Sequence, residues 1–347
     1  MATVAILGAG YMGSALTFPL ADNGTRVHLW GTWLDDTIID ASREREHPKL
    51  KRRLPGDVRL FYSGELAQAI GEADVIVVAV TSEGFLPVFQ RFLEEAPKPF
   101  PLITVTKGFV LYGGSVVRIS EAAAALFQRK FPTAKFQWIS VGGPVKAVEL
   151  SQLVPSATIF ALNSSSVHEI TDLFHTGYYR VQTTDDITGV ELSSAFKNIY
   201  SIALGIHDGL YGAIKDRIFH NLKSLLFNQS VREMALIVEA AGGRGETVFD
   251  LAGIGDLYVT SSSGRNRRLG DLIGQGFTAQ EAYEHMCREG EIAEGYHTLD
   301  LGVSYLEKCD GELLRKLPLL RMLHWIIIEG RNCKEGIDAF LKTYMII

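Results

Sequence analysis

Val4-Ala-Ile-Leu7-Gly8-Ala-Gly10-Tyr-Met-Gly13-Ser14-Ala-Leu-Thr-Phe-Pro-Leu-Ala-Asp22 joins a short apolar run, three spaced glycines and a helix-like segment. The apolar run reads as a buried strand, and the glycines stand where it turns into the helix. Gly8 makes the tight turn, Gly10 lets backbone approach a pyrophosphate, and Gly13 allows close helix–strand packing. The helix N-terminus offers N–H groups and the positive end of its dipole to the phosphates. GxGxxG alone is a weak pattern. Set between a strand and a helix it predicts a dinucleotide cradle that includes Tyr11 and Met12, against the plainer reading of a glycine-rich turn.

Further apolar runs follow at Arg26–Trp30, Asp74–Val80, Leu102–Thr106, Trp138–Val141, Ala157–Ala161 and Tyr179–Gln182. Helical stretches separate many of them, the alternation of a mainly parallel α/β sheet. Ligands of such sheets sit beyond the carboxyl ends of the strands. Lys107-Gly108 and Gly142-Gly-Pro-Val-Lys-Ala-Val-Glu149 fall at two such ends. The second strand ends in Gly31-Thr32 rather than in an acid that would hold a ribose 2′-hydroxyl, which leaves NADP open beside NAD. Thr32, Arg43 and Arg45 are the candidate phosphate contacts, although Asp35 and Asp36 follow closely and the two arginines also read as a solvated charge run.

After Gln182 no β-alternation continues, and helical patterns at 187–211, 217–241 and 268–287 take over. In the first of these, at about 100° per residue, Leu192, Phe196, Ile199, Ala203 and Ile206 share one stripe. Lys197 lies away from that stripe, beside Ser194 and Ser201. In isolation it reads as a solvated lysine; the company elsewhere makes it a candidate catalytic group. Asn221, inside the second pattern, reads as a buried and satisfied structural polar group. Asp256, set among glycines, suits pairing with a lysine ammonium. Gly264-Arg265-Asn266 at a helix start suits an anion such as phosphate, more than a surface loop with a charge run.

At 347 residues the chain suggests two domains. Its 47% hydrophobic and 21% charged content are those of a soluble globular protein. A net charge of −6 without a basic block gives no reason to expect nucleic acid. Cys287, Cys309 and Cys333 are odd in number and lack CxxC spacing, as expected in a reducing cytosol. No apolar run approaches membrane-spanning length and no signal peptide is expected. The nine histidines show no metal-ligand spacing, so no metal is expected.

Together these motifs resemble the NAD(P)-dependent glycerol-3-phosphate dehydrogenase family over nearly the whole chain. The resemblance rests on Gly8-x-Gly10-x-x-Gly13, Val105-Thr-Lys107-Gly108, Gly143-Pro-x-x-Ala147-x-Glu149 and Asp186-x-x-Gly-Val-Glu191 with Lys197-Asn198. Gly255-Asp256-Leu with Thr260, Gly264-Arg265-Asn266-Arg267 and Glu294-Gly295 continue it. It implies an α/β Rossmann-type N-terminal domain, residues 1–185, and an all-α C-terminal domain, residues 186–347, of the 6-phosphogluconate-dehydrogenase-like helical kind, with the active site between them. It implies Lys197 as acid/base with Lys107 and Asp256. Asn198, Thr260, Arg265, Asn266 and Gly143 are implied at the substrate. Gly8, Gly10, Tyr11, Met12, Gly13, Thr32, Lys107, Ala147, Arg265 and Glu294 are implied at NAD or NADP.

The implied reaction reduces dihydroxyacetone phosphate to glycerol 3-phosphate, a phospholipid precursor, in a cytoplasmic homodimer. Two departures stand out. Thr260-Ser-Ser-Ser-Gly-Arg-Asn is shorter than the family's usual bacterial form and resembles the archaeal and eukaryotic ones. Trp30-Gly-Thr replaces the commoner Trp-x-Arg, which leaves cofactor choice open. The competing readings are a dehydrogenase of another phosphorylated polyol or of a hydroxy acid, and a non-catalytic dinucleotide-binding regulator.

Overall fold

A computed structural model describes all residues except 165–167, 213, 215–218 and 345–347. The chain forms two compact units, one of residues 1–110 with 117–187 and one of 111–116 with 188–347.

In the first unit the strand β1 (Thr3–Leu7) is buried at every position, as a strand covered on both faces must be. Each fully buried aliphatic side chain contributes about 1.5–3 kcal/mol. The chain continues through α1 (Tyr11–Asp22), β2 (Arg26–Trp30), α2 (Asp36–Glu44), β3 (Arg59–Phe61), α3 (Leu66–Gly71), β4 (Val75–Val78), α4 (Ser82–Glu95) and β5 (Leu102–Thr104). After a hairpin of β6 (Phe109–Tyr112) and β7 (Ser115–Arg118) come α5 (Ile119–Lys130), β8 (Trp138–Gly142), α6 (Ala147–Ser151), β9 (Ser156–Leu162), α7 (His168–Asp172) and β10 (Tyr179–Thr184). The eight-stranded sheet runs β10-β9-β8-β5-β4-β1-β2-β3. Its pairs are parallel except β8 with β9. The chain order reverses between β1 and β4, and such a reversal is where a doubly wound sheet opens a crevice beyond its strand ends.

The second unit carries α8 (Ile187–Tyr211), α9 (His220–Ala240), α10 (Asp256–Ser263) and α11 (Arg265–Gly274). It continues with α12 (Ala279–Arg288), α13 (Glu294–Cys309), α14 (Pro318–Ile327) and α15 (Cys333–Tyr344). Three expectations are corrected here. The single packing stripe on α8 is replaced by burial on every face from Gly189 to His207. Gly302 of α13 sits against Phe196 and Ile199, Glu233 of α9 bonds Tyr200, and α11 covers a third side. The pattern at 268–287 is two helices. Gly276 turns the chain at φ +111°, and Thr278 restarts it with a capping box to Glu281. Asn221 is exposed, because it occupies the first turn of α9 rather than its packed middle.

The third side of α8 explains how α11 is placed. Gly205 and Gly209 face Gly270 and Gly274 of α11. A Cβ on Gly205 would fall 2.0 Å from the Arg267 carbonyl, and one on Gly270 would fall 2.0 Å from that of Ile202. The two backbones touch because four residues spaced at one helical turn carry no side chain. That contact fixes the start of α11, with Arg265 and Asn266, against the helix that carries Lys197.

Candidate active site

Lys197 is 6% exposed and Asp256 3%, so the lysine is not a solvated surface group. Its Nζ donates to Asp256 Oδ1 at 2.7 Å and to Thr260 Oγ1 at 2.7 Å. Asp256 and Thr260 lie four residues apart on α10 and therefore share one face. The Thr260 hydroxyl donates in turn to Asp256 Oδ1 at 3.4 Å. A π-type turn over Leu251–Gly255 delivers Asp256 to this spot, and it is tight. A Cβ on Gly253 would lie 2.0 Å from the Val248 carbonyl. The group is a buried ammonium that bonds a carboxylate and a hydroxyl from one face of α10.

Asn198, one residue further along α8, points about 100° away and meets a different neighbour. Its Nδ2 donates to Glu294 Oε2 at 3.4 Å, while Arg265 donates to Glu294 Oε1 at 3.3 Å. Asn266 Oδ1 accepts from Gly295 N at 2.8 Å, which ties the start of α11 to the start of α13. That bond leaves Nδ2 as the donating end of the amide, since Oδ1 is the acceptor. Gly264 caps α11 without a side-chain bond and its first turn has no acid. An arginine half exposed at 47% and one amide, Asn198, thus meet on the Glu294 carboxylate, with Asn266 bonded to the next residue, Gly295. Among the described residues no three His, Cys, Asp or Glu side chains gather as a metal would require.

One buried carboxylate that sequence reading passed over braces this site. Glu233 of α9 is fully buried and accepts from the Tyr200 hydroxyl at 2.8 Å and from Gln229 Nε2 at 2.9 Å. It also accepts from Leu319 N at 2.6 Å and Leu320 N at 2.9 Å, at the start of α14. Tyr200 lies one turn beyond Lys197, so three helices converge on this carboxylate. Burial pushes its pKa up to about 7, against the pull of the four donors. The folded state therefore keeps a proton that the unfolded chain loses near 4.5. The resulting stability is complete below 4.5 and is lost as pH rises through about 7, by roughly 3 kcal/mol. Glu233→Gln is expected to remove this dependence. Wild-type urea midpoints should fall relative to the variant's between about pH 4.5 and 7, and a pH-independent difference would refute the assignment.

The first unit holds the other expected residues. At Gly8 (φ +119°) a Cβ would lie 2.5 Å from the Ala79 carbonyl, and at Gly13 one would lie 2.0 Å from the Gly8 carbonyl. A Cβ at Gly10 would meet nothing within 4 Å. Two glycines are thus required by packing, and the third leaves open space where a pyrophosphate would lie. α1 starts at Tyr11 without a side-chain cap or an acid in its first turn, so the amides around Met12 suit an anion. The residues present fit a dinucleotide.

Thr32 is 6% exposed. Its hydroxyl donates to Asp35 Oδ2 at 2.8 Å and accepts from Leu34 N at 3.3 Å, so this side chain turns inward. Arg43 lies over the Tyr62 ring and donates to the Leu60 carbonyl. Lys107 follows β5, whose end is tied to that of β4 by Thr106 Oγ1 donating to the Val80 carbonyl. Gly143 takes φ +125° after β8, and Ala147 opens α6.

Residues 3–168 match a family model described as NAD-dependent glycerol-3-phosphate dehydrogenase N-terminus, and 186–338 match its C-terminus. An NADP(+)-dependent glycerol-3-phosphate dehydrogenase of Archaeoglobus fulgidus is 35% identical, covering 96% of this chain and 97% of that protein. A glycerol-3-phosphate dehydrogenase [NAD(P)+] of Bacillus velezensis is 32% identical over 98% and 94%. The crystal structure of a glycerol-3-phosphate dehydrogenase from Coxiella burnetii superposes with a TM-score of 0.83. It has 28% identity and covers 98% of each chain.

Proposed function

The chain belongs to the NAD-dependent glycerol-3-phosphate dehydrogenase family, and from that premise we propose that it interconverts dihydroxyacetone phosphate and sn-glycerol 3-phosphate. The buried Lys197–Asp256–Thr260 group, next along α8 to the cluster around Arg265, is the observation that carries this reading.

A ketone being reduced needs a proton at its oxygen as negative charge develops there. Lys197 Nζ donates that proton and recovers it in the reverse direction. Asp256 fixes the ammonium's position and balances its charge, and Thr260 sets its direction. Arg265, Asn198 and Asn266 hold the phosphate, a binding contact remote from the reacting carbon that orients it. Lys107 assists Lys197, and Gly143 borders the substrate. The nicotinamide cofactor, NAD or NADP, would supply the hydride in its reduced form and take it back in its oxidised form. Gly8, Gly10, Tyr11, Met12 and Gly13 hold its pyrophosphate, with Lys107, Ala147, Arg265 and Glu294 as its further contacts.

Residues 1–185 act as the cofactor domain and 186–347 as the substrate and catalytic domain. A cytoplasmic homodimer completes the proposal, on the prevalence of two-fold dimers among soluble enzymes. Loss of nicotinamide absorbance with dihydroxyacetone phosphate and NADH or NADPH tests the reading. Turnover with either supports it. No turnover in folded protein that binds dinucleotide would overturn it.

A further inference from the structure

Ala9, between the first two glycines of the cradle, has both ends of its backbone held by side chains from elsewhere. Its N–H donates to Asp35 Oδ2 at 3.4 Å, an oxygen that also receives Thr32 N at 3.0 Å. Its carbonyl lies 3.1 Å from Nε2 of His47, a fully buried residue in the loop after α2. Two independent constraints fix the tautomer of this imidazole. Nδ1 receives the backbone N–H groups of Lys49 at 3.3 Å and Leu50 at 3.2 Å, so it carries no proton. A carbonyl can only accept, so the proton sits on Nε2, within hydrogen-bond reach of Ala9. The Ser14 hydroxyl of α1 lies 2.9 Å from the same Nε2. Burial, with Lys49 nearby, holds the pKa of His47 below its ordinary value against the pull of the Ala9 carbonyl and Asp35. The ring stays neutral.

We propose that His47 is a positioning residue for cofactor binding: through Nε2–H it fixes the Ala9 carbonyl and so sets the Gly8–Gly10 backbone in the shape that takes the pyrophosphate. The inference rests on the reading of this loop as the dinucleotide site. Pre-set backbone binds a ligand without first having to be ordered. His47 touches no reacting group, so its effect falls on cofactor affinity and not on the chemical step.

Two substitutions separate this role from local packing. His47→Asn keeps an acceptor near Nδ1 for the Lys49 and Leu50 amides but cannot reach Ala9. His47→Gln places a donor near Nε2. The probe is NADH or NADPH, whichever the wild type binds more tightly, followed by nicotinamide fluorescence with urea midpoints recorded in parallel.

His47→Asn is expected to weaken binding about tenfold, with kcat at saturating cofactor and the KM for dihydroxyacetone phosphate unchanged. His47→Gln should stay within about twofold of the wild type. Wild-type affinity in His47→Asn, or equal weakening in both variants, would overturn the proposal. Should His47→Asn fail to fold, His47→Gln decides alone: near-wild-type affinity supports the clamp and a tenfold loss overturns it. A wild-type protein that binds neither cofactor removes the dinucleotide reading itself, and this proposal with it.

Discussion

Lys197→Ala is expected to lower kcat by about 10²–10⁴ while the dissociation constant for the nicotinamide cofactor stays unchanged. In the proposed reaction the lysine is the buried acid, bonded at 2.7 Å to both Asp256 and Thr260. Without it the developing alkoxide has no positioned proton. A simple loss of activity would not prove this, because truncation also breaks the ion pair with Asp256, itself only 3% exposed. Removing one member of a buried pair costs about 3–5 kcal/mol of stability. The double variant Lys197→Ala with Asp256→Asn resolves the ambiguity by neutralising the other member of the pair. Its urea midpoint should recover toward the wild type while its turnover stays as slow as that of the single variant. Wild-type-like turnover in either would sink the role given to Lys197.

Residues close in sequence made much of this fold readable. The strand before Gly8, the glycine spacing and the helix after it are one local pattern, and the structure places all three as read. The long helix of Lys197 was equally legible, at 187–211. Its surroundings were not. Periodicity ranks the faces of a helix by hydrophobicity, and α8 is covered on faces that carry serine, glycine and lysine. A signal was present in the two pairs of glycines four apart, Gly205 with Gly209 and Gly270 with Gly274. Its meaning appears only once their two helices lie together.

The candidate site divides in the same way. Lys197, Asp256 and Thr260 meet as one group, and Asn198, Arg265, Asn266 and Glu294 meet as another. The residues that hold these groups were invisible. Glu233 is 33 positions from Tyr200 and 86 from Leu319, and no local pattern distinguishes it from a surface glutamate on α9. His47 follows Arg43 and Arg45, which also read as a solvated charge run, and no local pattern marks it. Asp35 stands beyond the usual place for an acid after the second strand. Its carboxylate turns back to Thr32 and Ala9, which spacing alone does not show.

Arg265→Ala should raise the KM for dihydroxyacetone phosphate by about 10- to 100-fold and change kcat far less, since a hydrogen bond to a charged group is worth about 1.5–3 kcal/mol. Two oxygens of one carboxylate, from Glu294, lie against Arg265 at 3.3 Å and Asn198 at 3.4 Å. A phosphate offers oxygens of the same kind with more charge. The partially exposed guanidinium is reachable, whereas Asn266 is committed on one side to Gly295.

Dihydroxyacetone, the same ketone without the phosphate, separates anchoring from chemistry. Its kcat/KM should be nearly the same in the variant and the wild type, because the contact removed was never made to it. Arg265→Lys keeps the charge but loses the planar fork, and should fall between the two. An unchanged KM for the phosphorylated ketone in Arg265→Ala would remove Arg265 from the substrate. An equal loss with both ketones, at saturating cofactor, would remove the phosphate contact and leave Arg265 acting at the reacting carbon or through its cofactor contact alone. Loss confined to the phosphorylated substrate is the outcome that makes this cluster the phosphate anchor.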